Sequence, residues 1–133
     1  MGERIDMKYL LDTNVLIYYL NGDERAISFV DANLSQSAIS AITYLEILVF
    51  SYNEEEDKKV RDFLELFTIY EVDREIIDIA IKIYRTKKVK MADNLIGSSA
   101  KLHDLILVTR NVDDFKNMEL EIFNIYSVNE ESQ

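Results

Sequence analysis

The sequence predicts an α/β domain built on a parallel sheet with helices on both faces. Short apolar segments alternate with segments of helical periodicity along the chain. Residues 105–108 are apolar at every position, which is typical of a strand covered on both faces. Such alternation favours parallel strands joined by right-handed helical crossovers. A chain of 133 residues suffices for one ordinary domain with a buried core, so we predict a single domain over 1–133, with loose termini at 1–6 and 128–133.

The predicted elements follow in order along the chain. Strands are predicted at 7–11, 37–39, 68–72, 105–108 and 121–126, and helices at 14–21, 23–34, 40–51, 55–66, 73–86 and 92–103, with a turn or short helix at 111–116. Ser40 and Asp73 stand where a side-chain oxygen can cap a helix. The acids of residues 54–57 suit the positive end of the next helix.

The segment 73–86 carries apolar residues at helical spacing, which predicts that one face of this helix is apolar. This face comprises Ile76, Ile77, Ala80, Ile81 and Tyr84. Asp78 and Lys82 lie on the other face, with the acid four residues before the base.

Composition limits the kinds of site that the chain can build. The chain has no cysteine and one histidine, His103, so a metal would be held mainly by oxygen, which favours Mg²⁺ or Mn²⁺. No apolar stretch is long enough to span a membrane, and we expect a cytoplasmic protein. The net charge of -10 argues against a general nucleic-acid coat protein. A nuclease remains compatible with this charge, because bound cations reverse the local sign around carboxylates.

The most informative position is Asp12, which ends the apolar run of residues 9–11 and precedes a helix start. Ligands of open parallel sheets bind outside the carboxyl ends of the strands. A carboxylate at that place is therefore a candidate for ligand binding or catalysis.

Glu46 lies in a helix whose other positions leave no polar stripe. A helix that is apolar all round is expected to be buried, and an unpaired buried carboxylate is costly. Glu46 is therefore expected to have a metal, a hydrogen-bond network or a cation as its partner. The alternative is a glutamate near the helix end that reaches solvent.

Two further polar segments follow in the second half of the chain. Asp93 is either a site residue or a first-turn acid that complements the helix dipole, and residues 109–115 are either part of a site or an ordinary loop. Together with Asp12 and Glu46, Asp93 and Asp114 would form a cluster of like charges. Such a cluster persists only if a cation occupies it or a proton is shared.

Four segments carry a resemblance to a known family. They are Leu10-Leu11-Asp12-Thr13-Asn14-Val15-Leu16-Ile17, Ser40-Ala41-Ile42-Thr43-Tyr44-Leu45-Glu46-Ile47, Asp93-Asn94-Leu95-Ile96-Gly97-Ser98-Ser99-Ala100 and Val108-Thr109-Arg110-Asn111-Val112-Asp113-Asp114-Phe115. In order and spacing the chain resembles the PIN-domain ribonucleases, most closely the VapC-type toxins of toxin–antitoxin pairs. The resemblance implies a five-stranded parallel sheet with strand order 3-2-1-4-5.

The resemblance also implies an acidic catalytic core of Asp12, Glu46 and Asp93, with Asp12 and Asp93 as metal ligands. Asp114 is the implied fourth acid, and Asp113 is a weaker candidate. The implied supporting polar residues are Thr13, Asn14, Thr109 and Asn111. The implied activity is hydrolysis of RNA phosphodiesters with Mg²⁺ or Mn²⁺, leaving a 5′-phosphate and a 3′-hydroxyl. A small antitoxin protein and a second copy of the chain are the implied protein partners.

Several cations stand close to these motifs in the sequence. Arg110 directly follows a predicted strand, and Lys87, Lys88 and Lys90 precede Asp93, so we expect them to contact RNA. The alternative for the lysines is capping of the 73–86 helix. His103 is expected at a helix end. Four tyrosines fit either a protein interface or core packing, namely Tyr18, Tyr19, Tyr44 and Tyr52.

Other functions compete with the toxin hypothesis. A housekeeping PIN nuclease in RNA processing and a non-catalytic PIN module that binds partners would share these motifs. A phosphoacceptor receiver domain would need a lysine after the last strand, where this chain has Ile125-Tyr126-Ser127. A haloacid-type phosphatase would need a second aspartate where Asn14 stands. The last two classes therefore fit the sequence poorly.

Overall fold

The computed structural model describes residues 6–127, and within that range the chain forms five strands and six α-helices. The strands are β1 (Tyr9–Leu11), β2 (Ser37–Ser40), β3 (Thr68–Tyr70), β4 (Ile106–Val108) and β5 (Ile122–Phe123). The helices are α1 (Thr13–Leu20), α2 (Glu24–Ala32), α3 (Ala41–Leu48), α4 (Glu54–Leu64), α5 (Arg74–Thr86) and α6 (Met91–Leu102). Short 3-10 helices occupy Leu34–Gln36, Val112–Asp114 and Lys116–Met118. Apart from Asp6, the termini predicted to be loose lie outside the described residues.

The sheet confirms the predicted fold class. All four strand pairings are parallel, and the strand order is β3-β2-β1-β4-β5. The first strand, β1, therefore lies in the middle of the sheet. β2 and β3 follow on one side of it and β4 and β5 on the other, so the strand order reverses at the β1–β4 pair. Parallel sheets bind ligands at this switch point, outside the carboxyl ends of the two strands.

Two apolar layers cover the two faces of the sheet. Leu10 and Leu11 are both fully buried and belong to different layers, because successive side chains of a strand point to opposite faces. Leu11 packs with residues of α1 to α4, including Leu16 and Ile47. Leu10 packs with residues of α6 and the segment after β4, including Ile96. Both layers hold β1 in place, and β1 leads directly into Asp12.

The predicted helix caps are confirmed. The Ser40 hydroxyl accepts a hydrogen bond of 3.0 Å from the amide of Ile42 at the start of α3. Asp73 accepts one of 3.0 Å from the amide of Ile76 at the start of α5. These bonds satisfy amides that the first helical turn leaves without an intrahelical partner.

The prediction that α3 is buried on all sides is wrong. Leu45, Val49 and Phe50 are exposed by 57%, 67% and 55%, whereas Thr43 and Ile47 are buried. The helix also ends at Leu48, earlier than the predicted residue 51. An apolar sequence shows what a helix could bury. Here α3 packs against α1, α4, α6 and the sheet, and the side that carries Leu45 has no neighbour among the described residues.

The apolar residues of α5 divide into two groups. Ile76 and Ala80 are buried, but Ile77, Ile81 and Tyr84 are 40–43% exposed. The apolar face predicted for α5 is therefore only partly covered by the rest of the protein, at Ile76 and Ala80. Asp78 and Lys82 form no ion pair among the described residues.

No helix within residues 6–127 is long and apolar enough to cross a membrane.

Replacing Ser40 by alanine tests how strongly the cap secures α3, the helix that carries Glu46. Ser40 is fully buried, so water cannot replace its hydroxyl at the Ile42 amide. We expect Ser40→Ala to lower the free energy of unfolding by about 1–2 kcal/mol in chemical denaturation. The control is Ser35→Ala, at an exposed position, which should leave the midpoint unchanged. Equal stability of the two variants would contradict the assigned cap.

Candidate functional site

Asp12 lies at the switch point of the sheet, between the end of β1 and the start of α1. Its amide donates to the carbonyl of Val108 at the end of β4, and its side chain caps α1 through the Thr13 amide at 2.8 Å. The other carboxylate oxygen, Oδ2, accepts from the Thr109 hydroxyl at 2.8 Å and from Asn14 Nδ2 at 3.2 Å. Only 5% of the residue is exposed.

The pKa of the Asp12 carboxyl is raised from 3.8 to about 6. Burial is the main cause, because it removes the charged form from water. The hydrogen bonds from Thr109 and the Thr13 amide lower this pKa, while the negative charges of Asp93 and Glu46 raise it further. Asp12 therefore lies close enough to two other acids for their charges to disfavour its ionised form.

Glu46 approaches this place from α3 and is held by a hydroxyl. The Thr13 hydroxyl donates to Glu46 Oε1 at 2.5 Å and lies 3.0 Å from the hydroxyl of Thr43. Thr43 is fully buried one turn before Glu46 on the same helix. The expected hydrogen-bond network around Glu46 is thus present, although Glu46 itself is partly exposed.

Asp93 lies in the first turn of α6 and is also partly buried. Burial raises the pKa of its carboxyl, and the charges of Asp114 and then Glu46 raise it further, whereas the Lys90 ammonium lowers it. The four acids Asp12, Glu46, Asp93 and Asp114 are therefore linked by electrostatic repulsion. The structure thus brings together residues from the ends of β1 and β4, from α3 and from α6.

The segment after β4 lines an open depression of about 380 Å³. Its walls are formed by Arg110, Asn111, Val112, Asp113, Asp114 and Asn124. The Asn111 amide donates to the Thr109 hydroxyl at 3.0 Å, which fixes the loop against Asp12. The Asp113 side chain is 92% exposed, and its carboxylate lies 3.9 Å from the Lys116 ammonium. Asp113 is not among the charges that raise the pKa of Asp93.

The donor chemistry of this site fits a hard divalent cation. Within residues 6–127, no three His, Cys, Asp or Glu side chains form a ready metal cage. Mg²⁺ rarely requires such a cage, since one or two carboxylates, several waters and substrate phosphates usually complete its octahedron. Asp12 and Asp93 supply two carboxylates whose mutual repulsion a cation would relieve.

Arg110 is positioned by aromatic rings beside the site. Its guanidinium carbon lies 4.8 Å from the ring centre of Tyr126 and 5.5 Å from that of Tyr18. Its backbone amide donates to Asn14 Oδ1 at 3.3 Å. These contacts hold the cation next to the residues that surround Asp12.

The three lysines of the 87–90 segment differ in their surroundings. Lys87 caps the end of α5 with its amide, and its ammonium donates to the carbonyl of Asn117. Lys88 is exposed, and Lys90 directly precedes α6 and lowers the pKa of Asp93. Of these three lysines, Lys90 is the one whose charge lowers the pKa of Asp93.

Sequence reasoning missed two contributors to the site. Thr43 could have been found, because it is the polar residue three positions before Glu46 in an otherwise apolar helix. Tyr126 could not, because its contact with Arg110 joins segments that the motif spacing does not relate. Tyr19 stacks on Phe63 at 4.6 Å within the core, which supports the core-packing interpretation for that residue.

His103 ends α6 as expected from the sequence, and its ring stacks on Tyr70 with centres 3.8 Å apart. It contributes to packing at the edge of the second apolar layer.

Known proteins share this fold. The PIN domain pattern matches residues 9–120. Ribonuclease VapC1 of Methanocaldococcus jannaschii is 32% identical over 129 residues, which cover 93% of this chain and 90% of that protein. A chain of a toxin–antitoxin complex from Klebsiella pneumoniae superposes with a TM-score of 0.80 at 31% identity, over 90% of this chain and 98% of that one.

A chain of FitAcB from Neisseria gonorrhoeae superposes with a TM-score of 0.75 at 29% identity, over 89% of this chain and 98% of that one. The family pattern spans most of the chain, and the strand order is the one that the resemblance implied. The chain therefore belongs to the PIN-domain family, among its VapC-type members.

Proposed function

We propose that the protein is a metal-dependent endoribonuclease and the toxin of a toxin–antitoxin pair. The observation that carries this proposal is the electrostatic linkage of Asp12, Glu46 and Asp93 at the switch point of the sheet. The relative from Methanocaldococcus jannaschii is named a ribonuclease, and the Klebsiella pneumoniae neighbour belongs to a toxin–antitoxin complex. The expected location of such a protein is the cytoplasm.

In this proposal Asp12 and Asp93 hold Mg²⁺ or Mn²⁺. When bound, the ion acts as a Lewis acid on the phosphodiester and lowers the pKa of the attacking water. The Thr109 hydroxyl and the Asn14 amide fix the orientation of the Asp12 carboxylate by donating to Oδ2. The other oxygen, Oδ1, accepts a hydrogen bond from the Thr13 amide.

Glu46 and Asp114 complete the proposed catalytic set. Glu46 Oε1 accepts a hydrogen bond from the Thr13 hydroxyl, which fixes this oxygen and leaves Oε2 to hold a water or accept a proton. Asp114 is the fourth acid, because its charge acts on Asp93, whereas Asp113 lies beside Lys116. Asn111 supports the loop through the bond from its amide to Thr109.

The proposed substrate is single-stranded or loop RNA, cleaved to a 5′-phosphate and a 3′-hydroxyl. The depression beside Asp114 is open to solvent, so an exposed RNA backbone can reach the proposed site. Arg110 stands at the rim of this depression, and Lys90 stands beside Asp93. Arg110, Lys87, Lys88 and Lys90 are the proposed phosphate contacts, and they offset the net charge of -10 locally.

The proposed protein partners are a small antitoxin and a second copy of the chain. The antitoxin is supported by the toxin–antitoxin complex whose chain superposes on 90% of this one. Apolar side chains exposed on α3 and α5 give the protein surface that such partners could cover.

RNA cleavage with and without chelator tests the proposed activity. We expect wild-type protein with Mn²⁺ to cleave single-stranded RNA, and we expect EDTA to abolish cleavage. Asp93→Asn should lower the rate by at least about a hundredfold, because it removes one of two proposed metal ligands. The matched control is Asp113→Asn, which changes an exposed acid two residues beyond Asn111 and should retain the wild-type rate. Cleavage that survives both EDTA and Asp93→Asn would rule out the metal mechanism.

Replacing Asp12 by asparagine tests the cost of burying its charge. Because the native pKa of about 6 exceeds the ordinary 3.8, metal-free native protein binds the proton more tightly than unfolded protein. The contribution of Asp12 to stability is therefore greatest below pH 4 and is lost as pH rises through 6, by as much as about 3 kcal/mol. We expect Asp12→Asn to gain stability over wild type between pH 4 and pH 7.5 in EDTA.

The readout for Asp12→Asn is the free energy of unfolding from urea titrations at the two pH values. At pH 4, the difference in free energy of unfolding between wild type and Asp12→Asn measures the hydrogen bonds lost at Oδ2. The change in this difference from pH 4 to pH 7.5 measures the cost of burying the Asp12 charge. Mn²⁺ at pH 7.5 should stabilise wild type and leave Asp12→Asn unaffected. Identical pH profiles of the two proteins would show that the Asp12 charge is not destabilised by burial.

The lysine segment is tested through the salt dependence of RNA binding. In an Asp93→Asn background that prevents cleavage, Lys87, Lys88 and Lys90 are replaced together by glutamine. If all three contact phosphates, the slope of log affinity against log salt should fall by about 2, at roughly 0.7 for each contact with single-stranded nucleic acid. The control replaces Lys58 and Lys59, which pair with acids on exposed α4. An unchanged slope would leave these lysines with a structural role alone.

A further inference from the structure

Asp114 lies outside the strands and α-helices, so its position depends on how the surrounding segment packs. We call residues 112–118 the docked segment, and it consists of two consecutive short 3-10 helices. Phe115 and Met118 of this segment are buried and pack in the apolar layer that includes α6. The docked segment therefore rests on α6, the helix whose first turn carries Asp93.

Three positions of α6 face the docked segment. Asp93, Gly97 and Lys101 follow one another at intervals of four residues, which places them on one face of the helix. At the start of this face, the charge of Asp114 acts on Asp93. One turn later the side chain of Met118 lies against Gly97, and at the next turn the Lys101 ammonium donates to the Met118 carbonyl at 2.9 Å.

Gly97 allows the close approach of Met118 to α6. A Cβ atom at position 97 would meet Met118 Cε and would lie 2.6 Å from Met118 Sδ, far below the optimum of about 3.5–4.0 Å for non-bonded heavy atoms. Glycine is unfavourable in a helix interior, and the space that it leaves here is filled by Met118. Any larger residue at position 97 would push the docked segment away from the helix.

The end of the docked segment is tied to α5 as well. The Lys87 ammonium, at the end of α5, donates to the carbonyl of Asn117. The next turn of the chain is made by Glu119 with a left-handed φ of 58°, which is unfavourable for a residue with a side chain. Met118 and Leu120 on either side of Glu119 both pack in the apolar layer, which holds this turn in place.

We propose that Gly97 and Lys101 are positioning residues that set the distance between Asp93 and Asp114. Gly97 sets how closely the docked segment approaches α6, and Lys101 fixes the end of that segment. Both residues act through the docked segment and touch neither the metal nor the RNA. The inference rests on the proposed function, in which Asp114 completes the acids around the metal. Residues that orient metal ligands in this way tune the affinity for the metal.

The first test measures Mn²⁺ binding to RNA-free protein by electron paramagnetic resonance, a readout that does not require cleavage. Gly97→Ala should displace Met118 and raise the dissociation constant for Mn²⁺ by about tenfold or more. Met118→Val in the Gly97→Ala background removes Sδ and Cε, the two atoms that the new Cβ would meet, and should restore tight binding. Equal affinity of Gly97→Ala and wild type, or a double variant that binds no better than Gly97→Ala, would refute the role of Gly97.

The second test uses an exposed position, where folding is not at risk. Lys101→Gln removes the bond to the Met118 carbonyl and should raise the Mn²⁺ dissociation constant by about tenfold, whereas Lys101→Arg can still donate and should bind as wild type does. The matched control is Lys82→Gln, which removes the same charge from the same groove, although Lys82 makes no hydrogen bond to residues 112–118. Equal affinities of Lys101→Gln and Lys82→Gln would overturn the role of Lys101.

The outcomes separate this inference from the proposed function. Wild-type protein that binds no Mn²⁺ would overturn the metal-dependent function and the positioning role with it. Wild-type protein that binds Mn²⁺ and cleaves RNA, with variants of equal affinity, would overturn the positioning role alone. In cleavage, excess Mn²⁺ should return the rate of Gly97→Ala toward that of wild type by mass action, with an unchanged KM for RNA. A rate that excess Mn²⁺ does not raise would contradict a role in holding the metal ligands.

Discussion

The burial of the Asp12 carboxylate at the junction of β1, β4 and α1 is the constraint on which the rest of the site depends. Ionisation at that place is opposed by loss of water and by the charges of Glu46 and Asp93. Three hydrogen bonds to the carboxylate offset part of the free-energy cost of ionisation. Their donors are Thr13, Asn14 and Thr109. Thr13 and Asn14 follow Asp12 directly in the chain, whereas Thr109 reaches it because β1 and β4 are neighbours at the switch point. The sheet order thus supplies the Thr109 bond, which is the largest of the hydrogen-bond contributions that lower the pKa of the buried acid.

The sequence predicted most of the fold because its signals were local. Ser40 and Asp73 mark helix starts through their capping oxygens, and residues 105–108 mark a central strand through continuous apolarity. The ends of elements were less predictable. The strand predicted at 121–126 pairs only over Ile122–Phe123, because β5 is an edge strand with β4 as its one neighbour. Pairing partners, which no local pattern reveals, decide where such a strand ends.

The parts of the candidate site that could be predicted from the sequence are those with local signals. Asp12 follows an apolar strand, Glu46 lies in an apolar helix, and Asp93 lies in the first turn of a helix. These local sequence features marked the three acids as candidate site residues. Their electrostatic linkage depends on how α3 and α6 pack against the sheet. Periodicity likewise identified the apolar residues of α3 and α5 but could not say which of them a neighbour covers. Ile76 and Ile77 are adjacent in sequence, yet one is buried and the other is open to solvent.

A PIN module that only binds partners would gain nothing from this arrangement. The carboxylate of Asp12 has a pKa of about 6, so at neutral pH it is mostly ionised and destabilises the fold. Replacing it by a neutral residue would remove this cost in a module without chemistry. The hydrogen bonds also leave capacity on Oδ1, which accepts one bond, from the Thr13 amide, among the described residues. A buried anion that is oriented by Thr109 and Asn14, and that keeps an oxygen available beside other acids, fits the divalent cation of the proposed function.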